Sequence, residues 1–521
     1  MTRSHGRAGL AAMTASVALT FAVAAAGPSV MEPALPGRAG PPPWAFAGHP
    51  SPYLVVSLAA AALALGALGL VLVLRAIRGG WSVPARAVLL AGLLAAAVLT
   101  LVPPFGSSDQ LSYAAYGRML VTGHNPYTTT PAQLAALGDP VARAVQDWFT
   151  TPSVYGPLAT GVQGLASLIG GTSVRLTVFV LGLVNLTAFG VTAALLHRMT
   201  RSDPARQLRA ALLWAANPLL LQLLIAGAHV DAQAVVFAVA AVAACFGPWL
   251  GSPSARPSVT RAVLAGGLVG LGFAVKASDA LVGLGLAVAL VLRLPPAGRR
   301  GWSGRRWRRG WPPLAALAAG FAATGGAAIV IGGSAMLGQL SRESDMVSIG
   351  SPWRVIRTLI HLVAAGSAAT DLVKAGAITL AVVLAVLLIR ALPDASAGVS
   401  VPFAVVLAAL FAWPYVLPWY DALAWALLPL VAAGPAAEAA GWLLLARTTA
   451  LGFGYLPARE TDAVLPRGLA WLQPVIRHGL TPAVLAAATM GLAVLMVRSR
   501  RLRGPAAAQS IEVRPAVTKA L

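Results

Sequence analysis

The sequence predicts an all-α, polytopic transmembrane bundle of about 13–14 spans, with outside loops that carry short helices. Three observations predict it. Of 521 residues, 58% are hydrophobic and only 10% are charged, against about 25% charged in soluble globular chains. Apolar runs recur along the whole chain, and a helix needs about 20 apolar residues to cross a bilayer, where backbone groups must bond internally. The Lys and Arg residues, which give a net charge of +22, form short clusters between those runs. Such clusters mark a cytoplasmic membrane boundary and contact anionic lipid, which accounts for the charge without a nucleic-acid partner. An outer-membrane barrel, with alternating segments of about ten residues, does not fit. The single cysteine, Cys245, lies in an apolar stretch and leaves no intrachain disulfide, all-cysteine zinc site or CxxC motif.

In chain order the candidate spans are residues 8–27, 53–75, 87–103, 173–197, 209–227, 231–250, 262–275, 277–292, 313–333, 371–392, 400–418, 421–434, 438–456 and 479–498. The shorter ones are full spans, half-helices or pieces of one broken helix. The first has a basic start (Arg3, Arg7) and small residues near Ala24–Gly27, so it reads either as a signal peptide or, the reading adopted, as a retained helix. Residues 28–50 follow as a Pro-rich outside linker. The inside loops carry Arg75, Arg78 and Arg86, then Arg198, Arg201, Arg206 and Arg209, then Arg293, Arg299, Arg300, Arg305, Arg306, Arg308 and Arg309. The tail begins Arg498, Arg500, Arg501, Arg503. Span counts between clusters are even if 155–171 dips or lies flat, which keeps 104–172 and 334–370 outside and both chain ends inside. The organisation is then an N-terminal helix and linker (1–52), a transmembrane domain (53–498) and a basic tail (499–521). No internal repeat or inverted half is evident, which disfavours many transporter architectures.

Only 16 residues are acidic. Asp109, Asp139, Asp147, Glu343, Asp345, Glu460 and Asp462 fall in outside segments, and Asp231, Asp279 and Asp421 near the outside ends of helices. A charge in the bilayer costs about 2.5–3.5 kcal/mol on insertion scales, so it faces a cavity or a partner. The acids therefore converge on one aqueous cavity at the extracytoplasmic face. The richest stretch runs from Gly106 to Tyr127. Ser107 or Ser108 caps a helix there, and Gly123 with Asn125-Pro126 ends it. Asp109, Ser112, Tyr113 and Tyr116 then share one polar-aromatic face. A carboxylate favoured by the helix dipole suits a general base for a sugar hydroxyl, and aromatic faces suit sugar C–H surfaces. Equally, Asp109 serves only to cap a helix lying on the membrane.

The same two-sided reading applies elsewhere. His229 and Asp231 either orient a substrate or cap a short hairpin. Lys276 either snorkels, pairs with Asp279, or supplies a phosphate counter-charge, the reading preferred at its depth. Among Arg342, Glu343, Asp345, Arg354 and Arg357, one or two bind phosphate and the rest are solvated. Tyr155-Gly156-Pro157 starts a helix, chiefly a geometric role. Trp419, Tyr420 and Asp421 line the cavity or form an aromatic belt, the latter being preferred for Trp419. No P-loop, HExxH or nucleophile-elbow motif occurs in a suitable context. A soluble nucleotide-sugar domain is missing too, so a donor would arrive through the membrane as a lipid.

Taken in order, SSDQLSYAAYGRMLVTGHNPY from Ser107, SVYGPL from Ser153, NPLLLQLLIAGAHVDA from Asn217 and the lone Lys276 resemble membrane glycosyltransferases of the GT-C class. More closely, the chain is similar to the actinobacterial polyprenyl-phosphomannose-dependent α-1,6-mannosyltransferases of lipomannan assembly, over roughly residues 85–420; its high Ala, Gly and Arg usage also suits that source. The resemblance implies a GT-C helical fold, a site at the extracytoplasmic side of the plasma membrane, a polyprenyl-phosphate sugar donor and a mannan or lipoglycan acceptor. It implies inversion of configuration, with no cofactor. Asp109 takes the place of the family's loop aspartate and inherits the base role. Family loops often carry Asp-Asp or Glu-x-Asp pairs, whereas Ser108 and Gln110 flank Asp109, which argues against a metal. On this reading Lys276 with Arg342 or Arg354 neutralises the donor phosphate. Tyr113, His124, Tyr155, His229 and Asp231 bind or orient substrate. A flippase for a lipid-linked sugar, or a non-catalytic scaffold, would use some of the same charges. The gathering of polar groups at one end favours transfer over a pathway.

Overall fold

The structure, a computed structural model, describes residues 2–37, 40–247, 257–293, 304–362, 366–392, 397–457 and 465–501. It is helical, with no strand among those residues. Helix α1 (Thr2–Ala25) packs along α2 (Pro52–Arg78), and α3 (Ala85–Thr100) leads to an outer group of short helices. These are α4 (Asp109–Val121), α5 (Pro131–Ala136), α6 (Pro140–Arg143) and α7 (Pro157–Gly170). The bundle continues through α8 (Val174–Met199), α9 (Pro204–Leu213), α10 (Pro218–Leu220, prolonged by a π turn, Leu221–Ile225), α11 (Asp231–Phe246), α12 (Val259–Val275) and α13 (Ala280–Leu292). Then come α14 (Gly304–Ser344), α15 (Pro352–Ile360), α16 (Ser367–Ala391), α17 (Ala397–Ala412), α18 (Ala422–Leu427), α19 (Pro435–Gly454) and α20 (Thr481–Arg501).

Among the described residues, seven stretches are helical, long and apolar enough to cross a membrane, and five shorter apolar helices of 10–17 residues accompany them. Leucine, isoleucine and valine side chains such as Leu90, Leu94, Val330, Ile331 and Val382 stand exposed on the outer faces. In a polytopic membrane protein those faces meet lipid, and the buried core is what helices share with each other. Residues 421–434, expected as a span, form instead the short α18 between two 3-10 turns, Pro418–Asp421 and Leu428–Leu430. Prolines at 418 and 429 interrupt the ladder. The Arg206 guanidinium, donating to the carbonyls of Pro429 and Leu430, holds the broken end. The expected end of a span at residue 333 coincides with Gly333, whose φ of 66° lets the chain kink within α14.

Helix α7 has 14 residues, about 21 Å and too short to span. It lies against α4, and the two approach so closely at Gly117 that any Cβ there would collide with the Gln163 carbonyl. The 28–50 linker folds back over the same end. Trp44 donates from its backbone to Leu101 O, Gly106 to Met31 O and Phe105 to Ala226 O. These backbone bonds set the loop that opens α4 beside the turn that precedes α11. Residues 458–464, with Glu460 and Asp462, and the tail beyond residue 501 lie outside the described residues, as do Arg299 and Arg300.

Candidate active site

The site begins at the N-terminus of α4. The N-cap position falls to Ser108, which makes no side-chain cap bond; Ser107 Oγ instead accepts from the Asp109 N–H at 3.1 Å. Ser108 Oγ donates to the Asp147 carboxylate and Ser112 Oγ to the Asp147 carbonyl. The 144–151 loop is thereby strapped along α4, and Tyr116 completes the strap by donating to Thr151 O at 2.9 Å. Trp148, at the tip of the loop, donates its indole N–H to Asp109 Oδ1 at 3.2 Å. The other carboxylate oxygen, Oδ2, lies 3.5 Å from His229 Nδ1. The His229 ring is buried and stacks on Trp419, with centroids 3.5 Å apart and planes 14° from parallel. Trp148 (φ 62°) and Ala228 (φ 53°) are the two non-glycine residues with positive φ among those described. Such conformers cost about 1–3 kcal/mol each and persist where surrounding contacts impose them. One residue bonds Asp109, and the other turns the chain into His229.

A second set of charges lies beside the first. Helix α12 ends because Lys276 is extended (φ −149°, ψ 130°), and a 3-10 turn, Ala277–Asp279, follows. Its ammonium lies 2.7 Å from Asp231 Oδ1 and 3.7 Å from the centroid of the Tyr420 ring. The lysine thus pairs with Asp231, not with Asp279. The Tyr420 hydroxyl donates to Glu343 at 3.2 Å. Tyr155 meets Tyr113 edge-on, their hydroxyls 3.3 Å apart. The Gly156 N–H bonds Val275 O, and a Cβ at Gly156 would strike the Ala274 carbonyl, so the start of α7 is docked on the end of α12 beside Lys276.

Asp109, Ser112, Tyr113, Tyr116, Trp148, Tyr155, Glu343 and Tyr420 line one cleft. A neighbouring cavity of about 230 Å³ shares Trp148, Tyr415 and Tyr455 with it and adds Arg477. Burial, and then the Asp109 charge, push the Tyr113 and Tyr116 hydroxyls above the ordinary tyrosine range. Both stay phenols: Tyr116 donates to Thr151 O, and Tyr113 accepts from the Tyr155 hydroxyl. A carboxylate oriented from two sides, facing aromatic walls and backed by an ion pair, can accept a hydroxyl proton while holding a sugar. Among the described residues no group of three or more His, Cys, Asp or Glu is placed to hold a metal.

The residues singled out from the sequence divide clearly. Asp109, Tyr113 and Tyr155 are in the cleft wall, with His229, Asp231 and Lys276 directly behind it. His124 lies 15 residues beyond Asp109 at the far end of α4, about 20 Å along the axis, where Nδ1 meets Thr122 Oγ1 at 3.1 Å. Arg342 and Arg354 are exposed and absent from the cleft wall. Trp419 is not in an aromatic belt: it is 3% exposed and packed on His229, because the turn at Pro418 carries it inward. Unforeseen were the Trp148–Asp109 bond and the Tyr420–Glu343 pair, which join positions 39 and 77 residues apart. No local pattern encodes such separations; the only signal was a tryptophan beside an acid in a loop between helices.

Comparison with known proteins adds to this geometry. The model for the alpha-(1->6)-mannopyranosyltransferase N-terminal domain matches residues 7–293. Over 136 residues the chain is 34% identical to a probable alpha-(1->6)-mannopyranosyltransferase of Mycolicibacterium smegmatis, covering 26% of this chain and 24% of that protein. An alpha-(1->6)-mannopyranosyltransferase of Mycobacterium tuberculosis is 34% identical over 136 residues, covering 26% and 23%. Alpha-(1->6)-mannopyranosyltransferase A of Corynebacterium glutamicum is 28% identical over 131 residues, covering 25% and 26%. The chain thus spans about a quarter of the length of the curated relatives it matches. Among solved structures, ArnT from Cupriavidus metallidurans in the apo state aligns with a TM-score of 0.32 and 16% identity, over 72% of this chain and 71% of that one. With residues 7–293 of its 521 matched by one family model, more than half its length, this polytopic helical membrane protein belongs to the alpha-(1->6)-mannopyranosyltransferase family.

Proposed function

We propose that the chain transfers a mannosyl residue from polyprenyl-phosphate mannose to an α-mannoside of a mannan or lipoglycan, forming an α-1,6 linkage with inversion. The site is read as facing the extracytoplasmic side of the plasma membrane. Family membership supports the mannosyl chemistry. The observation that carries the catalytic reading is the Asp109 carboxylate in the cleft wall, bonded by Trp148 at 3.2 Å with His229 Nδ1 3.5 Å from its other oxygen.

In this reading the acceptor 6-hydroxyl loses its proton to Asp109 as its oxygen bonds the anomeric carbon. The bond from that carbon to the phosphate oxygen breaks on the opposite face, and the polyprenyl phosphate departs with the bonding electrons. General-base assistance supplies typically about two to four orders of magnitude in rate. Lys276 supplies positive charge for the departing phosphate, which is where preorganised charge acts most strongly. Asp231 orients Lys276, and its buried Oδ2, without a hydrogen-bond partner among the described residues, is left to accept from a sugar hydroxyl. His229 orients the base; Tyr113 and Tyr155 bind sugar. The exposed Arg342 and Arg354 contribute least, and His124 lies outside the reacting region. Membranes given labelled polyprenyl-phosphomannose and short α-mannosides should yield an α-1,6-linked product, lost in Asp109→Asn. Label that crosses proteoliposomes without forming a glycoside would instead make the protein a transporter.

A further inference from the structure

A second cavity, of about 350 Å³, opens at the other end of the bundle, lined by Arg78, Arg206 and Arg209 and by an apolar wall that includes Leu74, Leu213 and Trp442. Helix α2, 27 residues and about 40 Å long, runs from the linker that folds over the Asp109 end to Arg78 at this one. The three arginines are not equivalent. Arg78 pairs with Glu438 at 3.2 Å, and Arg206 is committed to the carbonyls of Pro429 and Leu430. Asp203, the other acid in the wall, is occupied in capping α9, accepting from the N–H groups of Ala205 and Arg206. Arg209 lies one turn after Arg206 on the same helix face, half-buried; it feels Glu438, which is already paired with Arg78, but no described residue gives it a hydrogen bond or an ion pair of its own. A guanidinium beside a like charge in apolar surroundings is costly unless an anion meets it.

We infer that this cavity binds the phosphate headgroup of an anionic amphiphile, a membrane lipid whose chains run along the apolar wall. Arginine at a cavity wall matches phosphate in charge and fork geometry, and basic pockets between transmembrane helices suit lipid headgroups. None of these residues lines the Asp109 cleft, so the inference stands apart from the transferase reading. It is tested on the full chain purified in zwitterionic detergent, by native mass spectrometry with added phosphatidylglycerol, phosphatidylcholine or inorganic phosphate. One phosphatidylglycerol should bind in preference to phosphatidylcholine, and Arg209→Gln should weaken it roughly tenfold or more. Arg143→Gln, an exposed arginine elsewhere, should leave binding unchanged. Ala433→Trp fills the exposed mouth of the cavity while keeping every arginine, and should weaken binding comparably; it decides alone if Arg209→Gln fails to fold. Equal binding by wild type and Ala433→Trp, or equal binding of the two lipids, overturns the inference. Displacement of the lipid by an equal concentration of inorganic phosphate also overturns it, since free phosphate would then be the ligand.

Discussion

Asp109 accepts one hydrogen bond and has one cationisable neighbour, and each contact can be removed separately. Asp109→Asn should lower kcat by about two to four orders of magnitude, with the melting temperature nearly unchanged. Unaltered transfer in a well-folded preparation would exclude it as the base. Trp148→Phe deletes the indole donor to Oδ1 and should cost about 1 kcal/mol or so of transition-state stabilisation, read in kcat with KM little changed. Lys276 and Asp231 are both buried and form an ion pair, so a single loss strands a charge. Lys276→Met alone should destabilise by about 3–5 kcal/mol. Lys276→Met with Asp231→Asn should recover most of that stability and none of the activity. Recovery of both would make the pair structural. The raised Tyr113 and Tyr116 hydroxyls keep their protons past the usual tyrosine range, so the alkaline limb of a pH–rate profile should survive Tyr116→Phe.

At the scale of elements, the linker between α1 and α2 is the most testable part. Glu32 in that linker is buried, and desolvation pushes its carboxyl from 4.5 up to about 9, opposed by the nearby Arg175. The folded protein therefore holds this proton from the unfolded value up to about 9, while the unfolded chain gives it up. Stability should fall as pH rises through that window and level off above it. Glu32→Gln should flatten this part of the curve, measured as melting temperature against pH; an unchanged slope would assign it to other groups. Helix packing gives a second check. Gly117→Leu forces α4 off α7, and because Asp109 opens α4, activity should fall together with stability.

For the whole molecule, the scarce ionic side chains gather at two opposite ends. Asp109, Asp231 and Lys276 belong to one, and Arg78, Arg206 and Arg209 to the other. In a Cys245→Ala background, a cysteine placed at exposed Thr128 should react with an impermeant maleimide from outside intact cells, and one replacing Arg78 only after permeabilisation. The reverse pattern would invert the protein in the membrane and end the extracytoplasmic reading. Deeper in the bundle, Arg447 pairs with Asp421, whose other oxygen accepts from Thr448. That buried network accounts for Asp421 without any catalytic part for it.

The sequence by itself determined that the chain is a helical membrane protein, that α4 presents Asp109, Ser112, Tyr113 and Tyr116 on one face, and that Lys276 breaks an apolar helix. These are consequences of composition and of a 3.6-residue period, both of which act locally. Only the tertiary structure decided that Lys276 answers Asp231 and not the nearer Asp279, that Trp419 leaves the membrane rim to stack on His229, and that Arg342 and Arg354 face away from the cleft while Glu343 faces into it. Those outcomes depend on where prolines and glycines redirect the chain and on how closely α7 can approach α4 and the end of α12. Contacts between segments far apart in sequence are set by packing, and no periodicity within either segment records them.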